Sequence, residues 1–426
     1  MFSPHDALPL PPRPNQDRYK KLAKDLLKAS RSAEPSALHA WVNTWQAALH
    51  RLDPIASHNS PVILSEVEAE RSSASTPLET FAREKLSEKP TLTAAQFVIA
   101  RAHGFESWPK LAQHIEATTR ANSEVAHFEQ AADAICTGDK ITLTNLLKKY
   151  PDLARTHSTR RHQATLLHYT AANGIEDYRQ KTSPNIVEIA QILLDNGADV
   201  NAITDLYGGT TTLALAATSV HPERAGVQNA LLQLLLDRGA IIDDPNSPTL
   251  LINACLANGR PAAAEFLSNH DAKLDLEAAA GVGRLDLVKE FLAGVISSGA
   301  LLPAERAISR SSVTAQKPTP TQLSRERALC WASEYGHNPV VNFLLDQGVP
   351  IQSQANTGQT PLHWAVIGRQ KETVKLLLSR GANPEAKNAY GATAQGQAQW
   401  SAAYTDSLDP YQELAALLKH HAAKPK

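Results

Sequence analysis

A period of 33 residues constrains what this chain can fold into. The segment RALCWASEYGHNPVVNFLLDQGVPIQSQANT precedes TPLHWAVIGRQKETVKLLLSRGANPEAKNAY, and the step from Arg327 to Thr360 is 33 residues. Self-similarity at this period marks a stack of supersecondary units, none of which can bury its apolar face alone. The residues agree with helix pairs. Thr360 is placed to cap a first helix, with Pro361 at its first position, where a missing N–H costs nothing. Leu362, Ala365, Leu376 and Leu377 lie at helical spacings that turn one face of each helix inward, the alanine allowing a neighbour to approach closely. Gly381 is placed to end the second helix in the left-handed conformation that glycine adopts cheaply.

With TPLHWA opening the best unit, the pattern resembles the ankyrin repeat. Weaker copies lie upstream: TLLHYTAANG at 165–174 with VEIAQILLDNGADVNA at 187–202, residues 175–186 being inserted between them, then TTLALAA at 211–217 with LLQLLLDRGAIIDD. In the latter Ala214 stands where the signature has histidine. TLLINACLANGRPAAAEFL at 249–267 and LDLEAAAGVGRLDLVKEFL at 274–292 follow, the second after a step of 25 residues, too short for a full hairpin arm. An opening unit at 128–154 and a polar closing unit at 391–421 bring the array, residues 125–424, to about eight units. The Ser, Thr and Pro content of 295–324 predicts a long loop, partly disordered. Arg369 occupies the position where the family usually has a glycine, so that turn must be adapted. The resemblance implies an all-α fold: an ankyrin repeat solenoid of helix-turn-helix units with short hairpin arms, preceded by a small helical domain.

That leading domain is expected over 13–121, after a flexible tail at 1–12. Tyr19, Leu22, Ala23, Leu26 and Leu27 form one stripe of an amphipathic helix at 17–30, and Leu38, Trp41, Trp45, Leu49 and Leu52 form another at 36–52. Two tryptophans on one stripe read as core. Residues 53–90 are rich in Ser, Glu and Pro and read as a flexible insertion with room for one helix at 78–87. In TAAQFVIARAHGFESWPKLAQHI at 93–115, Thr93 and Gln96 form a capping box, Gly104 stops the first helix, and Ser107 caps the second before Trp108 and Pro109. Two helices joined by a tight turn raise the possibility of DNA reading. A recognition helix needs polar side chains at its start and cations for phosphates, whereas this one opens Trp-Pro-Lys, and Glu106 and Lys110 cancel. The stretch is similar instead to the helical leader that precedes ankyrin repeats in a group of bacterial proteins, ending in GFxSWPKLxxHI, with 53–90 lengthening a normally shorter connection.

Composition supplies no strong field for a partner: 42 basic against 43 acidic residues leave a net charge of −1. The N-terminus has no continuous apolar run of a signal peptide and no stretch approaches membrane-spanning length, so a soluble, unexported, cytoplasmic protein is expected. Cys136, Cys255 and Cys330 are far apart and read as buried hydrophobes. No nucleophile elbow, P-loop, dinucleotide fingerprint or zinc motif is found, and no catalytic residue, metal ligand or cofactor is assigned. His168 and His363 hold the signature position, and in ankyrin folds that imidazole bonds within the turn. Lys148, Lys149, Arg155, Arg160, Arg161 and His162 form a basic run that reads as solvated surface.

The expected function is that of a non-catalytic scaffold, binding a protein partner on the concave face, with nucleic acid and membrane disfavoured as partners. The alternative is a DNA-binding transcriptional regulator that uses helices 93–115, with the repeats as sensor or oligomerisation module. Carried onto this chain, the ankyrin pattern of partner-facing positions gives Asp205, Tyr207, Glu334, Tyr335, Asn356, Gln359, Lys387 and Tyr390. Among them Tyr207, Tyr335 and Tyr390 offer large contact area at low entropy cost.

Overall fold

The computed structural model describes residues 8, 10, 14–34, 36–50, 77–87, 90–120, 123–244, 247, 249–293, 320–354, 358–403 and 408–422. The chain divides into two compact units, Met1–Ile241 and Ile242–Lys426. The first therefore joins the leading helices to the first repeats.

Five helices open it: α1 (Gln16–Ser30), α2 (Ala37–His50), α3 (Pro77–Ser87), α4 (Leu92–Ala102) and α5 (Trp108–Thr119). The stripes expected from periodicity meet in one core, where Tyr19, Leu26, Val42, Trp45, Phe81, Ile99 and Leu111 are buried and Trp41 and Trp108 are packed at its edge. Burying one such large apolar side chain contributes about 1.5–3 kcal/mol. The cap of α4 differs from the expected Thr93, which lies inside the helix. Thr91 is the N-cap, and its hydroxyl accepts from the Ala94 N–H at 3.2 Å. Gly104 is left-handed at φ 80°, and Ser107 precedes α5 without a side-chain cap bond. The expected flexible tail also needs correction at Leu8, which is buried and donates its N–H to the Ala102 carbonyl at 2.7 Å. The buried His103 imidazole donates in turn to the Leu8 carbonyl at 2.9 Å.

Repeats continue the first unit: α6 (Glu124–Thr137) with α7 (Lys140–Lys149), α8 (Leu166–Tyr169) with α9 (Ile186–Asp195), then α10 (Thr212–Thr218), α11 (Val220–Arg224) and α12 (Gln228–Asp237). The leader is not a separate bead, because α5 packs directly on α6. One two-stranded hairpin arm, β1 (Ile203–Thr204) against β2 (Thr210–Thr211), runs antiparallel with Ile203 opposite Thr211.

In the second unit the pairs are α13 (Leu251–Ala257) with α14 (Pro261–Ser268), α15 (Leu276–Gly281) with α16 (Leu285–Leu292), α17 (Pro320–Glu334) with α18 (Asn338–Asp346), α19 (Pro361–Ile367) with α20 (Lys371–Ser379), and α21 (Ala394–Ala403) with α22 (Leu408–Ala422). A continuous core runs from Leu276 to Leu418 through Leu329, Val341, Leu362, Leu377 and Tyr411. The expected loop at 295–324 ends early, since α17 already begins at Pro320 and its remaining part lies outside the described residues. Residues 53–76 of the expected insertion also lie outside them, while α3 fills 77–87. The adapted turn in the best repeat takes a definite form. Arg369 itself adopts φ 61°, and its guanidinium lies 5.0 Å from the Tyr411 ring centre.

Candidate functional site

The signature histidines are structural. His363 Nδ1 lies 2.8 Å from the Thr360 hydroxyl, its Nε2 lies 3.0 Å from the Ala392 carbonyl, and the ring is fully buried. With Nε2 donating to that carbonyl, Nδ1 is an acceptor and the neutral tautomer is fixed. His168 repeats the arrangement with Thr165 at 2.8 Å and the Ala202 carbonyl at 3.1 Å. Burial pushes the His168 pKa down to about 4. Each imidazole thus ties a helix start to the next hairpin.

Those hairpins present the side chains proposed for binding. At the 203–211 arm, Tyr207 takes φ 51° and ψ 24°, a left-handed conformation unusual for a bulky residue. Its hydroxyl donates to Asn173 Oδ1 at 3.1 Å, yet the residue is 67% exposed, with Asp205 exposed beside it. At the 388–392 turn, Asn388 Oδ1 accepts from the N–H groups of Tyr390 and Ala392, both at 3.0 Å, and holds Tyr390 outward at 86% exposure. Lys387 is exposed nearby, its carbonyl accepting from Gln354 Nε2 at 2.6 Å.

The other expected contacts are placed differently. Gln359 is buried, because its Oε1 accepts from Asn388 Nδ2 at 3.2 Å and braces the turn from inside. Tyr335 is half-buried with its hydroxyl donating to the Leu256 carbonyl, so part of its ring is committed to packing. Glu334 is half-buried as well, and burial lifts its pKa to about 7. Asn356 lies outside the described residues. Tyr207 belongs to the first unit, and Tyr335 and Tyr390 to the second.

The basic run departs from the sequence expectation at Arg160 and His162, while Lys148, Lys149 and Arg155 are exposed as expected. Arg160 is buried, not solvated: its guanidinium pairs with Glu129 at 3.1 Å and with Glu176, and donates to the His103 carbonyl at 3.1 Å. Arg179 completes the group, reaching Glu129 at 2.9 Å and Asp133 at 2.7 Å. His162 is buried beside Glu176 at 3.4 Å, and the Tyr169 hydroxyl donates to the same carboxylate at 3.3 Å. Burial alone would raise the Glu129 carboxyl, but the two guanidinium groups outweigh it and hold the pKa at about 2. Glu176, Arg179 and Tyr178, whose hydroxyl accepts from Arg160 at 3.4 Å, all come from the inserted segment at 175–186, which therefore builds one side of this cluster. Two buried cations against the buried Glu176 and the largely buried Glu129 form a junction between leader and repeats. Among the described residues no group of His, Cys, Asp and Glu is arranged to hold a metal ion.

Family models recognise two segments of the array. The family model for ankyrin repeats in three copies matches residues 276–388, and that for a single ankyrin repeat matches 162–205. These segments are ankyrin repeats. Of the curated proteins, zygote-specific protein 3 of Chlamydomonas reinhardtii is 33% identical over 133 residues, covering 31% of this chain and 32% of that protein. An ankyrin repeat-containing protein of Treponema pallidum (strain Nichols) is 36% identical over 81 residues, 18% of this chain and 27% of its own. The E3 ubiquitin-protein ligase hecd-1 of Caenorhabditis elegans is 35% identical over 95 residues, 22% of this chain and 3% of the ligase. The chain thus spans less than a third of each of these relatives. Of the solved structures, the human ASB11 ankyrin repeat domain is matched over 72% of this chain and 100% of that domain, at 21% identity and a TM-score of 0.34.

Proposed function

We propose that the chain is a non-catalytic scaffold in the cytoplasm of a bacterium that captures a protein partner on the concave face of its ankyrin repeats. Ankyrin repeats are generally protein-interaction modules, since each repeat contacts only its neighbours and leaves hairpin tips and inner helices free to bind. The observation that carries the reading is Tyr207. A bulky aromatic residue kept in a left-handed conformation and two-thirds exposed at a hairpin tip is held against its own backbone preference, and such strain gathers at binding sites. Tyr390 has the corresponding exposed place on the later arm. Asp205 and Lys387 would flank them with charge, and Glu334 and Tyr335 would contribute their exposed edges. No helix of the described residues is long and apolar enough to cross a membrane, and the three cysteines are free thiols, as suits a reducing compartment. The regulator alternative gains nothing from α5, whose Leu111, His114 and Ile115 are buried while the helix packs on α6.

The test is capture of the partner that co-purifies with the full chain. Tyr207→Ala combined with Tyr390→Ala is expected to weaken that capture at least tenfold, about 1.4 kcal/mol, with unchanged helical circular dichroism. Unaltered affinity in a folded double variant removes the tips from the site and sinks the reading.

A further inference from the structure

Burial along two inner helices of the second unit follows the repeat. In α19, Leu362, His363, Ala365 and Val366 are buried while Trp364 and Ile367 are half-exposed. In α17, Leu329, Cys330, Ala332 and Ser333 are buried while Trp331 and Glu334 are half-exposed. Trp331 and Trp364 are one 33-residue period apart, as are Glu334 and Ile367, and the two helices pack side by side. These four residues therefore line one uncovered stripe across consecutive repeats. The Trp331 ring also reaches over the neighbouring inner helix α15, where a Cβ on Gly281 would come within 3.2 Å of it. Glycine leaves room for that ring.

The stripe lacks a cation. Among the described residues the Glu334 carboxylate has neither an ion-pair nor a hydrogen-bond partner, and burial is the sole cause acting on it. Arg327 is engaged with Glu277 at 3.4 Å and Arg369 lies over the Tyr411 ring. A carboxylate partly withdrawn from water without a counter-charge is costly, and a cation delivered from outside would relieve that cost. Two half-exposed indoles beside it favour a flat cation over a compact one.

We propose that Trp331, Trp364 and Glu334 seat an arginine side chain from a basic segment of the partner. Its planar guanidinium stacks on an indole face while its N–H groups donate to the Glu334 carboxylate, a combination a compact, strongly hydrated lysine ammonium matches less well. The inference deepens the concave-face reading and rests on it.

The full chain is titrated with a fluorescently labelled hexapeptide carrying two arginines, and with its citrulline counterpart, the anisotropy of the label reporting binding. The arginine peptide is expected to bind at least tenfold tighter than the citrulline peptide. Glu334→Gln is expected to abolish that preference without altering the fold, and Trp364→Leu to weaken arginine-peptide binding several-fold. Equal binding of the two peptides, no binding of either, or a preference that survives Glu334→Gln overturns the proposal. Because Glu334→Gln is nearly isosteric, it decides the matter even if a tryptophan variant misfolds. Capture of the co-purified partner separates the two readings. If that capture is lost in the Tyr207/Tyr390 double variant but indifferent to Glu334→Gln, the arginine seat is rejected and the concave face stands, whereas indifference to both sets of changes rejects both.

Discussion

The junction around Arg160 and the repeat that opens at Thr360 are both held by polar contacts largely withdrawn from solvent, but by opposite means. In the repeat, the cap of Thr360 comes from a residue three positions on, and the imidazole of His363 reaches a carbonyl 29 positions on. At the junction, Arg160 finds a carboxylate 31 positions back and a carbonyl 57 positions back, with Glu176 lying in an inserted segment. One region makes the same pair of bonds in two repeats, from a signature histidine to its own helix start and to the following hairpin. The other uses charges brought together once, by the tertiary fold alone. The difference assigns different work to each: periodic bonds extend an array, and singular ones fix where the array begins and what is attached to it.

Removing a charge at the junction is expected to have the largest effect. Arg160→Met leaves the buried Glu176 and the largely buried Glu129 with one guanidinium fewer, and breaking the buried Arg160–Glu176 pair in this way costs about 3–5 kcal/mol. Arg161, next to it but only half-buried, gives the contrast, with Arg161→Met expected to change stability by about 0.5 kcal/mol or less. Urea unfolding followed by circular dichroism measures both. Similar midpoints for the two variants would show that the junction is held by its apolar contacts and that the charges are incidental.

This contrast also explains what was legible in the sequence. Thr360, Pro361, His363 and Gly381 carry local geometry in their own chemistry, so the helix pairs could be placed from residue type and spacing. Arg369 was recognised as a departure, though its own left-handed φ had to be seen. Arg160 and His162 lie in a run of cations whose neighbours do face water, and nothing in the run announces that Glu129 and Glu176 converge on two of its members. Among the proposed contacts, Gln359 was misplaced because an amide is equally suited to a surface and to bracing a turn. Leu8 was missed because a short proline-flanked stretch has no period to betray its packing.

Acid should separate the two regions next. Burial depresses the pKa of His103 to about 3 and of His114 to about 4 where the leader meets the repeats, with His168 at about 4 in the adjoining repeat. Each folded-state value lies below the ordinary histidine value of about 6.5, so the unfolded chain takes up protons first as pH falls. Their contribution is complete above about pH 6.5 and is lost progressively toward pH 4, on the order of 3 kcal/mol for one such group. Glu129 adds little above about pH 5, since its contribution is lost only as pH falls from the ordinary carboxylate value of about 4.3 toward its folded value of about 2. Unfolding free energy measured by urea from pH 8 to 4 should be flat at first and then fall, and His114→Gln should make the fall shallower. A profile level through pH 5 would mean that these imidazoles are hydrated and that the junction is looser than its geometry implies.

The smallest effect tests the periodic side from within, because two repeats differ in the signature, Thr212 and Ala214 standing where the later one has Pro361 and His363. Thr360 shares its cap with His363, whereas Thr211 has Ala214 at the corresponding place and offers only its hydroxyl, 3.4 Å from the Ala214 N–H. Losing a cap hydroxyl costs about 1 kcal/mol. Thr360→Ala should reach or exceed that figure, since it also strips the buried His363 Nδ1 of a partner, and Thr211→Ala should fall short of it because the two hydroxyls accept their helix N–H at the same 3.4 Å and only Thr360 has an imidazole beside it. The acid dependence should divide in the same way. Burial lowers the His363 pKa, so any stability that Thr360 and His363 share weakens as pH falls below the usual histidine range, while the Thr211 cap has no titrating member. Thermal melts of both variants at pH 7.5 and pH 5 read the difference. Equal losses at both values would mean that the histidine merely fills space and that the threonine alone makes the cap. A Thr360→Ala penalty that shrinks at pH 5 while the Thr211→Ala penalty stays constant would assign the extra stability of the complete signature to a neutral imidazole joining one helix start to the following hairpin.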